Sequence, residues 1–296
     1  MQVELLLQVN LNVRNFKYIF FKKGLSMNKL KVLVTGMCGR IGTVIGETLN
    51  QDFEFTSLDL TAKQGFKSFT GDISKLEEIQ SAFESQDAVI HLGADPRGEA
   101  PWESVLQNNI VGTRNVFEAS RIAGIKKVIF ATTNHVVGYL YQKNDLYKSI
   151  LEGSMQDFNL KIPQIPNNIS RPDCLYAVSK LFGESLASLY QDKYNMSFIC
   201  IRFGGIEIPD RKVNDHPAKR AMWLSHNDLA QIIKLSLKAP SSLGYKIVYG
   251  VSNNRLKIHD LDSANESIGY EPVDDAGTDV ENAQIHGESY FKLAHP

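Results

Sequence analysis

Short apolar runs rich in β-branched residues alternate along this chain with stretches whose apolar positions recur at helical spacing. Lys31-Val-Leu-Val-Thr35 stops at Gly36 and predicts a strand buried on both faces of a parallel sheet. Residues 40–50 predict a helix. Phe53 to Leu58 predicts a second strand, ending at Asp59, and Gly65 to Thr70 a short third one before Gly71-Asp72. Ser74-Lys-Leu-Glu77 has a capping-box pattern and predicts a helix start. Asp87 to Leu92 predicts the fourth strand. Apolar residues at 102, 105/106, 110, 113, 116/117 and 120 predict a helix over Trp102 to Ala123, with Gly124 as its C-cap.

Lys127 to Thr132 predicts the fifth strand. Residues 139–170, with Pro163 and Pro166, read as irregular. Asp173 to Tyr194 predicts a long helix with a core stripe of Leu175, Val178, Phe182, Leu186 and Leu189. Phe198 to Phe203 predicts a sixth strand, residues 204–222 a loop, Asp228 to Lys238 a helix and Tyr245 to Val251 a late strand. Strands alternating with helices define an α/β, doubly wound parallel sheet, whose ligand sits outside the carboxyl ends of the strands. Gly36, Asp59, Asp72, the segment after Leu92 and Thr133 all fall there. The expected organisation is one nucleotide-binding domain over 27–270. It carries substrate-binding loops at about 139–170 and 204–226, a small C-terminal substrate-binding portion, and a tail over 271–296. Met27 stands just before this pattern, so residues 1–26 are expected to be an upstream extension.

Composition narrows the class. The formal net charge of −1 supplies no field that would favour nucleic acid or an anionic membrane. Cys38, Cys174 and Cys200 are odd in number and far apart, which implies neither a disulfide framework nor a metal site. Reduced thiols and a cytoplasmic location are expected. No apolar run approaches the ~20 residues that span a bilayer, and the first residues lack the pattern of a signal peptide.

Gly36-x-x-Gly39-x-x-Gly42 lies between a predicted strand and a predicted helix. A pyrophosphate must reach the N–H groups of that helix start, and side chains at the turn would block it. Arg40 and Ile41 stand in the same turn. Asp59, about 20 residues on, is placed to accept from the adenosine ribose hydroxyls and to repel a 2′-phosphate, which favours NAD over NADP. Arg40 pulls the other way, since a base there could meet a phosphate. Asp59 could also cap a turn, and Asp72 is divided between the adenine edge and a turn role.

Tyr176-Ala-Val-Ser-Lys180 places a phenol and an ammonium on one helix face. A free phenol titrates near 10, and a neighbouring Lys⁺ together with a nicotinamide⁺ would favour its phenolate as an acid/base group. Thr133, at the end of the fifth strand, would hydrogen-bond the substrate oxygen.

Taken together, these residues resemble the extended short-chain dehydrogenase/reductases, within the NAD-dependent epimerase/dehydratase superfamily of Rossmann-fold proteins. The resemblance covers about residue 29 to residue 270, and Asn109 in Asn-Ile-Val-Gly-Thr113 falls in its order. Val128-Ile-Phe-Ala-Thr-Thr-Asn-His-Val-Val-Gly138, Leu175-Tyr-Ala-Val-Ser-Lys-Leu-Phe-Gly-Glu184 and Ala221-Met-Trp-Leu-Ser-His226 are similar to uronate dehydrogenases and haloarchaeal NAD-dependent glucose-6-phosphate dehydrogenases. The resemblance implies oxidation of C1 of a cyclic sugar or sugar acid to a lactone, with Tyr176 as base and Lys180 holding the ribose. Ile73, Leu92, Asn109 and Phe203 complete the implied cofactor set. Asn134, His135, Gly205 and Arg220 join Thr133 at the sugar. Pro96 and Gly205 stand where uronate dehydrogenases carry serines, and Arg211 and Arg220 both compete for the role of their carboxylate-binding arginine. Arg97, Lys212 and Lys219 could also meet a substrate anion. A homodimer or larger assembly is implied. The alternatives are a nucleotide-sugar epimerase or dehydratase of the same fold, and a non-catalytic NAD-binding regulator. Asn134-His135 replaces the Asp-Glu pair expected of a dehydratase.

Overall fold

A computed structural model describes residues 29–152, 162–210 and 217–277. The expected extension over 1–26, and the basic residues Arg211 and Lys212, lie outside the described residues. Seven strands form one sheet in the order β3-β2-β1-β4-β5-β6-β7, all paired in parallel. They are β1 (Lys31–Thr35), β2 (Glu54–Asp59), β3 (Lys67–Thr70), β4 (Ala88–His91), β5 (Lys127–Thr133), β6 (Ser197–Phe203) and β7 (Tyr245–Gly250). The order turns back between β1 and β4, so a crevice opens there at the carboxyl ends.

Period-two alternation builds a core on each face. Val32 and Val34 of β1 pack on one side with Val44 and Ile45 of α1 (Arg40–Leu49). Leu33 points the other way, towards Ile79 of α2 (Leu76–Ile79) and Val116 and Phe117. The capping box does not form. Ser74 N–H donates to Asp72 Oδ1 at 2.9 Å, the helix starts two residues later, and Glu78 accepts from Asp72 N–H. The acidic Asp72 turn outcompetes the serine for the local N–H groups.

The helix expected over 102–123 is present as α3 but is not uniform. α-Helical turns at Trp102–Ser104 and Gly112–Ile122 flank a π-helical stretch, Val105–Val111. That stretch carries Asn109, and such bulges concentrate where a side chain must be re-aimed. The segment expected to be irregular holds α4 (Gly138–Lys143) and α5 (Asp145–Leu151), and the later loop holds α7 (Pro217–Ala221). A helix not anticipated, α9 (Asp262–Ile268), follows β7. Each is at most seven residues long, too short for helical periodicity to register. Residues 273 and 274 donate backbone N–H groups to the buried Asp228 of α8 (His226–Lys238), which fastens residues 271–277 to the domain.

The largest correction concerns α6 (Leu175–Tyr194). Its apolar stripe is not the main core face: Leu175, Val178 and Leu189 are 44%, 47% and 53% exposed, while Phe182 and Leu186 are partly buried. Ala177, Lys180, Gly183, Glu184, Ala187 and Tyr190 are buried instead. The cause is close packing on the sheet. A Cβ at Gly183 would overlap the Phe130 ring of β5. The next residue, Glu184, accepts from Arg202 Nη2 at 2.8 Å and Nε at 3.0 Å, and from the Thr132 hydroxyl at 2.8 Å. A buried carboxylate is tolerable only with such partners. Among the described residues no helix is long and apolar enough to cross a membrane.

Candidate active site

The β1–α1 turn puts Gly36 in the left-handed region, at φ +74°, where glycine alone is unstrained. A Cβ there would lie 2.7 Å from Gly93 N, so bare Cα also lets β1 and β4 close up at the crevice. A Cβ on Gly42 would meet Met37 O at 2.5 Å. Gly39, at the N-cap of α1, has no side chain to occupy the first N–H groups of the helix. This bare, positively polarised helix start fits a pyrophosphate.

A cavity of about 1060 Å³ runs from this turn along the carboxyl ends of the strands. Gly36, Gly39, Arg40, Ile41, Gly42, Asp59, Asp72 and Ile73 line one end. Leu92, Thr133, Asn134, His135, Tyr176, Lys180, Phe203 and Gly205 line the rest. Two expected residues stand apart. Asn109 is buried behind the wall, where its amide accepts from Asp95 N–H at 2.7 Å and donates to Asp95 O and to the Ser179 hydroxyl. Arg220 is 3% exposed and does not line the cavity, whereas its neighbour Lys219 does. Arg97 lines it too, with its guanidinium engaged by both oxygens of Asp95 at 2.9 and 2.6 Å. Pro96 lines it as well, and a Cβ on Gly205 would meet open space. At position 205 this wall is therefore roomier than a serine would leave it.

Several of these groups hold local structure as well. Asp59 accepts from Cys38 N–H and Leu60 N–H, both at 2.8 Å, so it fixes the glycine turn while facing the cavity. Thr133 Oγ1 accepts from His135 N–H at 3.2 Å and caps the 3₁₀ turn Asn134–Val137. Thr132, beside it, is committed to Glu184. The Asn134 amide reaches Met222 Sδ at 2.8 Å.

Electrostatics differ from the expectation for Tyr176. Burial pushes its phenol above the usual range, with the neighbouring Cys174 thiol adding to the effect. Burial also pulls the Lys180 ammonium down to about 7. Lys180 Nζ lies 5.0 Å from the Phe130 ring centre and 5.6 Å from that of Tyr176. Both groups therefore resist charge until a charged ligand shares their site. Between about pH 7 and the ordinary lysine range near 10, the unfolded chain binds a proton that the folded chain lacks. Stability should rise with pH across that window. Thermal melts of wild type and Lys180→Met should show the wild type gaining relative to the variant from pH 7 to 10; parallel curves would contradict this.

Asp173 was missed in the sequence. It contacts His135 Nδ1 at 2.9 Å. His135, Asp173 and Cys174 bring three potential ligand atoms within 4.8 Å of one another, but burial pushes the Cys174 thiol up to about 12, which keeps it protonated and a poor metal ligand.

A parallel sheet with its switch point over a glycine turn, and a cleft that joins this turn to a phenol and an ammonium, defines a dinucleotide-binding enzyme fold. The chain belongs to the NAD dependent epimerase/dehydratase family, whose profile matches residues 32–231. It is 34% identical over 259 residues to the NAD-dependent glucose-6-phosphate dehydrogenase of Haloferax volcanii, across 83% of this chain and 94% of that one. It is 31% identical over 253 residues to the uronate dehydrogenase of Pseudomonas syringae pv. tomato, across 82% of each. The solved glucuronic acid dehydrogenase from Chromohalobacter salexigens superposes with a TM-score of 0.71 at 29% identity, over 88% of this chain and 90% of that one.

Proposed function

We propose that the protein is an NAD-dependent dehydrogenase that oxidises C1 of a cyclic sugar or sugar acid, a hexuronate or hexose phosphate, to a lactone. The observation that carries this reading is the position of Asn134 and His135. They follow Thr133 directly and share one cavity with Tyr176, Lys180 and the glycine turn. Polar groups of this kind suit the hydroxyls of a free sugar. NAD, when bound, supplies the hydride acceptor, and Gly36, Gly39, Gly42, Asp59 and Lys180 would hold it.

Tyr176 takes the proton of the C1 hydroxyl, Lys180 keeps that phenol poised, and Thr133 orients the sugar oxygen. Asn134 and His135 bind hydroxyls further round the ring. Lys219 is the cation of α7 at the cavity wall, which favours it over Arg220 as the partner of a substrate anion. Asp59 favours NAD over NADP, because a 2′-phosphate would meet its carboxylate.

The test is NADH formation with glucuronate, galacturonate, glucose 6-phosphate and free aldoses, each with NAD and with NADP. Net NADH with at least one sugar is expected. An isomerised sugar without net NADH would point to an epimerase, and faster NADP reduction would overturn the role of Asp59.

The protein is further expected to work as a homodimer or larger assembly. Trp102 of α3 and Leu175, Val178 and Leu189 of α6 leave apolar surface exposed on two helices long enough to pair across a two-fold axis. Light scattering should give at least twice the chain mass; a single-chain mass would contradict the assembly.

A further inference from the structure

The Arg171-Pro-Asp173 segment leading into α6 is stitched onto the turn after β5. Arg171 N–H donates to Val136 O at 2.8 Å, Tyr139 N–H to Arg171 O at 2.9 Å, and Asp173 N–H to His135 O at 3.4 Å. This pairing delivers the Asp173 side chain, 1% exposed, to His135, whose own side chain is 21% exposed at the cavity wall. The approach requires glycine at position 138, because a Cβ there would overlap the Asp173 carboxylate. Gly138 itself has ordinary helical backbone, φ −56° and ψ −41°. Nothing in the main chain calls for glycine; the space for Asp173 does.

With the Asp173 carboxylate as acceptor, the 2.9 Å contact places the imidazole proton on Nδ1. In the neutral ring Nε2 is then an acceptor. We infer that Asp173 is a positioning residue that, through His135, presents an Nε2 acceptor to a hydroxyl of the substrate. This wall of the cleft thereby recognises a sugar O–H in preference to an anionic oxygen, which would need a donor. The inference rests on the sugar-dehydrogenase reading for its ligand, but the histidine tautomer can be read without any substrate.

The experiment uses the full chain as wild type, Asp173→Ala, Gly138→Ala and the double variant. Long-range ¹H–¹⁵N spectra at pH 8, with His135→Gln for assignment, report the tautomer. KM for glucuronate, for glucose 6-phosphate and for NAD reports binding. The wild type should show His135 protonated at Nδ1. Both single variants should lose that signature and raise the sugar KM roughly tenfold, the cost of about one hydrogen bond. The KM for NAD should stay within about twofold, because the glycine turn is untouched. The double variant should be no worse than Asp173→Ala, since the overlap has lost its partner. Wild-type His135 protonated at Nε2 would overturn the inference even if a variant failed to fold. So would sugar KM values unchanged in both single variants. If none of the sugars is oxidised, the proposed reaction falls while the wild-type tautomer still decides the inference.

Discussion

Tyr176→Phe should lower turnover by roughly 10²–10⁴-fold, the usual weight of a positioned acid/base group, while NADH affinity stays within about twofold of wild type. The change removes one oxygen and leaves the half-buried ring in place over Lys180, whose Nζ lies 5.6 Å from the ring centre. Packing and cofactor contacts are therefore preserved, and only the proton acceptor is lost. The size of the effect follows from how isolated that acceptor is. Thr132 is bound to Glu184 and Thr133 caps the Asn134–Val137 turn, so neither hydroxyl can substitute as a base. Steady-state NADH formation and NADH fluorescence titration separate the two effects. Retained turnover would remove Tyr176 from the mechanism.

The second large effect is expected at the glycine turn. Gly36→Ala should cost about 2–4 kcal/mol of stability and weaken NAD binding by about tenfold or more. Two terms add. An alanine at φ +74° costs about 1–2 kcal/mol on backbone grounds. Its Cβ would also sit 2.7 Å from Gly93 N and 3.0 Å from Leu92 C, which are backbone atoms that cannot rotate away. Relief would require β1 and β4 to part at their carboxyl ends, where the cofactor's pyrophosphate would lie. Gly269 supplies the control: it has nearly the same φ, +73°, with nothing within 4 Å of a Cβ. Gly269→Ala should carry the backbone cost alone and leave NAD binding intact. Chemical denaturation and NAD titration of the two variants would show whether the clash term exists; equal behaviour would mean it does not.

These expectations draw unequally on the sequence. The seven strands and the glycine turn were legible because buried parallel strands read as short apolar β-branched runs and because a phosphate turn demands bare backbone. Tyr176 and Lys180 were legible from their spacing once that turn was in place. The face of α6 was not. Its most apolar residues, Leu175, Val178 and Leu189, lie outside, and a glutamate, a lysine and a glycine lie inside. Periodicity assumes that oil marks the core, whereas here Gly183 lets α6 settle on Phe130 and Glu184 is neutralised by Arg202, a partner on strand β6. Asn109 was placed at the cofactor because its order in the chain allowed it; the π-helical stretch instead ties it to Asp95 and Ser179. Arg220 and Lys219 are adjacent in sequence, and only the short helix α7 determines which one meets the cavity. Asp173 could have been noticed as a carboxylate three residues before Tyr176. Its meaning, however, depends on backbone pairing between segments some 35 residues apart, for which no local pattern exists.

Net hydride transfer from sugar C1 to NAD can be followed with deuterium placed at that carbon. The enzyme is incubated with NAD and glucose 6-phosphate or glucuronate deuterated at C1, and both products are followed by mass spectrometry. One deuterium is expected in the reduced cofactor, with a lactone, or its hydrolysed acid, that has lost it. Deuterium retained at C1 of the sugar, with no labelled NADH, would contradict it.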